Sequence, residues 1–210
     1  MVSQLDPNRR FQIALDRARV AWAAAEPLRC AAQAGCQFTA EGISVPYFGR
    51  PHRVTHPDGA VSTAEGKPAH ISINIVLLHY LLTADGAPPA DRWLTFRELP
   101  DGLFYAQAFA GHAEGALAQK FGADPVPGSG HALAAFKQAA TALGGTPLDL
   151  ADASFRFQAL PRLAVAVSLW AGDDEFPGQA RMLFDAHAGH YLPTEDLSGI
   201  GDWLAHKLIR

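Results

Sequence analysis

Cysteine is almost absent from this chain: Cys30 and Cys36 are the only two in 210 residues. Their separation is not the CxxC spacing of zinc or dithiol redox centres, and two free or buried thiols are the expectation. Positive charge is thin as well. Lys and Arg number 17 against 21 Asp and Glu, a formal charge of −4. A duplex-binding protein displaces counterions with a basic stripe, and none is visible, so nucleic acid is not expected as a partner. The densest group, Arg9, Arg10, Arg17 and Arg19, lies along one predicted helix and reads as its solvated face. Long apolar runs are missing too. The longest, Ile71 to Leu82, contains Ser72, Asn74, His79 and Tyr80 and is shorter than the roughly 20 residues a bilayer span requires. The polar stretch Met1 to Arg10 has no secretory character. The expectation is a cytoplasmic protein with no membrane association.

Several catalytic and nucleotide-binding patterns are also missing. The chain has no GxGxxG, no P-loop, no GxSxG and no HExxH, which removes most support for dinucleotide, nucleoside-triphosphate, serine-hydrolase and zincin chemistry.

What remains is an ordinary globular composition, 49% hydrophobic and 18% charged, in a chain long enough to bury a core without staples. Asn8 to Ala32 has the period of an amphipathic helix, with a break at Pro27. From Cys36 to Thr63 short apolar runs alternate with turn residues, which predicts a three- or four-stranded antiparallel meander. Ile71 to Thr83 is apolar nearly all round and predicts a buried central helix. Trp93 to Phe96 fits a short strand or a helix start. Phe104 to Phe121 fits a helix capped by Gly122, and His131 to Leu143 fits another. Phe155 to Trp170 predicts a hairpin turning at Pro161-Arg162. Two closing helices are expected, near Phe176 to His190 and Thr194 to Ile209. Strands clustered rather than alternating with helices indicate an α+β fold, an antiparallel sheet (meander plus late hairpin) packed with several helices, in a single domain over residues 1–210.

Five constellations carry chemical interest. Trp170 and the acidic residues Asp173, Asp174 and Glu175 leave the best-defined strand and enter an expected helix. Carboxylates there cap free N–H groups and face the helix dipole, or, crowded together, serve acid/base chemistry or a hard metal. Asp185, His187 and His190 follow on the same expected helix; two imidazoles sharing a face are not a metal site by themselves, and no metal is expected. His79 and Tyr80 lie in the apolar helix, where a histidine either bonds a backbone carbonyl or holds a tetrapyrrole metal. Trp93, Phe96 and Arg97-Glu98 add aromatic packing and an ordinary ion pair. Leu197-Ser198-Gly199-Ile200-Gly201 is similar to the hairpin of DNA-backbone binders, but Glu195, Asp196 and Asp202 would repel phosphate.

Six blocks together resemble the prokaryotic domain-of-unknown-function family DUF3786. They are Ile75–Leu81, Trp93–Pro100, Leu143–Gly145, Leu169–Pro177, Met182–Asp185 and Tyr191–Leu197, in order. The resemblance implies a prokaryotic protein typical of anaerobes. Some relatives are joined to a four-cysteine iron–sulfur domain like those of corrinoid one-carbon proteins, a segment this chain does not contain. The family supplies no activity and no catalytic residues, so the cofactor is unknown. The leading expectation is a non-catalytic accessory protein that binds a small molecule or cofactor, a corrinoid or other tetrapyrrole for example, or that meets an iron–sulfur/corrinoid protein. The alternatives are an enzyme using the Asp/Glu/His cluster and a protein-interaction module with an exposed apolar patch.

Overall fold

The computed structural model describes residues 7–124, 129–173 and 175–210. The chain divides into two units, which are taken in turn.

The first unit runs through Pro88 and also takes in the short segments Leu160–Arg162 and His190–Pro193. It opens with α1 (Pro7–Ala23) and α2 (Pro27–Ala34). Pro27 begins α2, where a missing N–H leaves no bond unmade, and Gly35 closes it in the left-handed region at φ 68°. Four strands follow, β1 (Gln37–Thr39), β2 (Gly42–Tyr47), β3 (Arg50–Val54) and β4 (Val61–Thr63), paired antiparallel in chain order. Ile43, Val45 and Tyr47 are buried while Ser44 and Pro46 face outward, the period of a one-sided sheet. Helix α3 (Ile71–Thr83) packs on α1 and buries Ile75 through Leu78, Tyr80 and Leu81. The expected break at Pro27, the meander and the buried helix are all present.

The second unit holds the five-stranded sheet β5-β9-β8-β7-β6, built from β5 (Trp93–Thr95), β6 (Thr146–Leu148), β7 (Ala153–Leu160), β8 (Leu163–Trp170) and β9 (Gln179–Asp185). Its helices are α4 (Gly102–Phe109), α5 (Gly115–Phe121), α6 (His131–Ala142) and α7 (Thr194–Ile209), with a π-helical turn over Ala110–Glu114 between α4 and α5. Strand β8 is buried from Leu163 to Leu169, as befits the centre of a sheet. The fold is α+β, as expected, with the meander and the late hairpin in separate antiparallel sheets.

One expected helix is absent. Residues 176–190 do not form one; Gln179–Asp185 is the strand β9, paired with β8 on one side and β5 on the other. Ala180, Met182 and Phe184 are buried while Gln179 and Arg181 face outward, a period of two. Asp173 and Glu175 therefore sit in the connection between β8 and β9 and not at a helix start, and His187 and His190 are not one turn apart on a long helix. The stretch Leu197–Gly201 is continuous helix within α7 and not a hairpin. Among the described residues, no helix is long and apolar enough to cross a membrane.

Candidate functional site

Most of the residues singled out by the sequence are tied into the framework. Tyr80 is fully buried, donates its hydroxyl to the Ala34 carbonyl at 2.7 Å and accepts from the Arg162 amide at 3.0 Å. Burial raises its phenol well above the ordinary range. His79, beside it, is half-buried and engaged. Asp185 is buried at the end of β9. Its carboxylate accepts from the amides of Ala90 (3.0 Å), Asp91 (2.9 Å) and His187 (2.8 Å), which fastens the chain on either side of β5 and β9. Trp93 is half-buried and stands opposite Asp185 in the β5–β9 register.

The acidic loop behaves similarly. Asp173 Oδ1 accepts from the amides of Glu175 (2.9 Å) and Phe176 (2.7 Å), and these bonds lower its pKa. Glu175 is exposed, Trp170 is partly exposed at the end of β8, and Asp174 lies outside the described residues. Asp173 lines a cavity of about 680 Å³ whose walls include Gly122, Gly172, Phe176 and Gly178. Backbones cross there at close range: the Gly172 amide donates to the Gly122 carbonyl at 2.8 Å, and a Cβ on Gly178 would sit 1.9 Å from that same oxygen. Only glycine fits such a crossing. Among the described residues, no group of three or more His, Cys, Asp or Glu side chains is placed to hold a metal ion. Cys30 and Cys36 are free; burial raises both thiols, that of Cys36 to about 12.

Arg97 is placed differently. Thr95 and Glu98 close a capping box, with Glu98 Oε2 accepting from the Thr95 amide (2.8 Å) and hydroxyl (2.7 Å). That turn holds Arg97 outward, and Glu98 is committed to Thr95. Among the described residues, no carboxylate forms an ion pair with Arg97, so the expected Arg97–Glu98 pair gives way to a turn that leaves the guanidinium open.

Arg97 lines a groove of about 490 Å³ with Phe96, Leu103, Ala106, Phe109, Ala110, Glu114 and Arg181. Beneath it the packing is aromatic: the almost fully buried Phe96 and Phe109 rings stack at 4.2 Å between centroids, and Phe184, behind the lining, meets Phe96 edge-on at 5.8 Å. Its far side is the π turn, a wider helical turn found mostly as a single insertion and often at functional sites. Glu114, last in that turn, is buried. Oε1 accepts from the Met182 amide at 2.9 Å and Oε2 from Arg181 Nη1 at 3.1 Å. The Arg181 side chain is 49% exposed and that of Glu114 only 9%, so the pair presents its cation outward and its anion inward. On another side of the same turn, His112 Nδ1 lies 2.6 Å from Asp202 Oδ1. These two line a separate cavity of about 410 Å³ with His206, and desolvation raises the Asp202 carboxyl against the pull of His112.

Glu114, Arg181 and the His112–Asp202 pair were not singled out by sequence. A glutamate between Gly111 and Gly115 was the one available signal for the first of them, the only acidic residue from Gly102 to Phe121.

Fold and groove together define an α+β protein with two antiparallel sheets and, in its second unit, an apolar groove edged by arginines. The chain belongs to the family described as Domain of unknown function (DUF3786), whose model matches residues 26–207, from the residue preceding α2 to near the end of α7. No curated protein and no solved structure matches it.

Proposed function

We infer that this protein is a non-catalytic accessory domain that binds a small molecule in the groove beside the π turn. The observation that carries this reading is the groove's construction. A preformed concavity of about 490 Å³ with apolar walls and a few oriented polar groups has the character of a ligand site. The carboxylates on which an acid/base enzyme would rely support that alternative poorly, because Asp173 and Asp185 accept hydrogen bonds from backbone amides in separate places. A tetrapyrrole is the more demanding version of the binding reading, since His79 would have to exchange its present interaction for the metal. Absorbance spectra with added cobalamin or haem test that version, and unchanged bands at stoichiometric protein would rule it out. The groove itself is tested by ligand-observed NMR with a fragment mixture, comparing wild type with Ala106→Trp, which fills the groove. Fragment signals present with wild type and lost with the variant support the reading; identical signals from both contradict it.

A second reading, a protein-interaction module, is favoured by one observation. Leu103, Phe104 and Tyr105 stand in a row at the start of α4, exposed by 61%, 84% and 45%, and contiguous apolar surface of this kind marks contact sites. Self-association is its simplest form. Sedimentation of wild type against Phe104→Asp tests that form, with a concentration-dependent mass lost in the variant as the expected result and a monomer in both as the contrary one.

A further inference from the structure

We propose that the ligand of this groove is an organic carboxylate with an apolar body, gripped by the guanidinium groups of Arg97 and Arg181. The proposal rests on the groove being a binding site and assigns the chemical class that it takes.

Charge is the first consideration. Two guanidiniums and one carboxylate line the groove, but they do not face it equally. Both Glu114 oxygens already accept hydrogen bonds, and the side chain is turned toward the interior. Arg181 gives one Nη1 hydrogen bond to Glu114 and is half-exposed, which leaves donors of its fork directed outward. Glu114 thus acts as a positioning residue that fixes Arg181. Arg97 is exposed on its capped turn with no ion-pair partner among the described residues. The groove therefore offers positive charge in a chain whose net charge is −4, and planar arginine forks match carboxylates in bidentate geometry.

The walls decide which anion. Leu103, Ala106 and Ala110 supply apolar surface next to the cations, backed by the buried ring of Phe96. A bare inorganic ion would leave that surface in water, whereas an acid with a hydrocarbon body covers it, Leu103 above all, which is 61% exposed. Carboxylate at the arginine edge and body over Leu103, Ala106 and Ala110 is the pose in which both halves of the lining are used.

The test is titration calorimetry of the full chain with phenylpropionate, its uncharged amide phenylpropionamide, and inorganic phosphate. The expected result is that the acid binds about tenfold tighter than the amide, since a charge-assisted bidentate contact is lost in the amide. Phosphate should give no heat. Arg97→Gln should remove that tenfold advantage while circular dichroism and melting temperature stay as in wild type. Ala106→Trp should abolish binding of acid and amide alike. Acid and amide binding equally, both lost in Ala106→Trp, would leave the groove as a site but overturn the carboxylate assignment, as would phosphate competing as well as the acid. Acid binding that survives both Arg97→Gln and Ala106→Trp would overturn the assignment and the groove reading together. Absence of any binding by the acid also overturns the assignment.

Discussion

Tyr80 and Glu114 are both buried polar side chains on helices, one in each unit, and their surroundings differ in kind. The Tyr80 hydroxyl is closed between two backbone groups, the Ala34 carbonyl and the Arg162 amide. Glu114 has one oxygen on a backbone amide and the other on an arginine that reaches a groove. A polar group whose partners are all backbone secures the chain, and its removal should alter stability alone. A polar group whose partner opens onto a concavity shapes what that concavity recognises. Asp185 and Asp173, with amide partners throughout, fall with Tyr80.

Four substitutions sharpen or break this contrast. Leu77→Ala, at a fully buried position of α3, should cost about 3 kcal/mol by the cavity it leaves. Urea unfolding measures this, and phenylpropionate binding to the folded variant should be unchanged. Tyr80→Phe should cost about 2 kcal/mol, because it strands a carbonyl and an amide without supplying new partners; again, binding should not move. Arg181→Gln should reverse the pattern. Its stability cost should be only about 1 kcal/mol, since the arginine end is half-exposed and Gln still offers Glu114 a donor, while the affinity for phenylpropionate falls severalfold. A binding change in Tyr80→Phe larger than that in Arg181→Gln would break the contrast.

The smallest effect concerns acid stability. Hydrogen bonds hold Asp173, Asp124 and Asp85 below the ordinary carboxylate range: backbone amides for the first two, chiefly His190 for the third. A carboxyl lowered on folding contributes stability above its unfolded pKa and loses it as pH falls through the lowered folded value. Stability should therefore decline on the acid side, below the pH at which free aspartate protonates. Asp173→Asn keeps an acceptor oxygen but does not titrate, so it should melt somewhat below wild type at neutral pH, lacking the carboxylate's contribution, and its acid-side decline should be shallower. Melting temperature against pH for the two proteins measures the difference, and superimposable curves would contradict the role given to the Asp173 carboxylate.

Elements with an unbroken period were legible in the sequence. Ile43, Val45 and Tyr47 alternate, and the meander followed; Leu163 to Leu169 joins β-branched and small residues, and the hairpin followed. Strand β9 was not legible, because Met182, Leu183 and Phe184 are apolar without a break and conceal its period of two. Burial of Met182 and Phe184 between flanking strands decides it, and that is a tertiary effect. The groove was legible only through Phe96 and Arg97. Glu114 and Arg181 are 67 residues apart, and no local pattern links a helical glutamate to an outward-facing strand arginine. The same is true of His112 and Asp202, 90 residues apart. The Arg97–Glu98 dipeptide misled in a simpler way: neighbours of opposite charge suggested a pair, while the capping box took the glutamate for the backbone.

The most direct test of the central claim is an amide chemical-shift map of the labelled full chain titrated with phenylpropionate. The account predicts that the perturbed resonances cluster at Arg97, along Ala106 to Glu114, and at Arg181 and Met182. Perturbations centred instead on the loop that begins at Trp170, or around Tyr80, would contradict it.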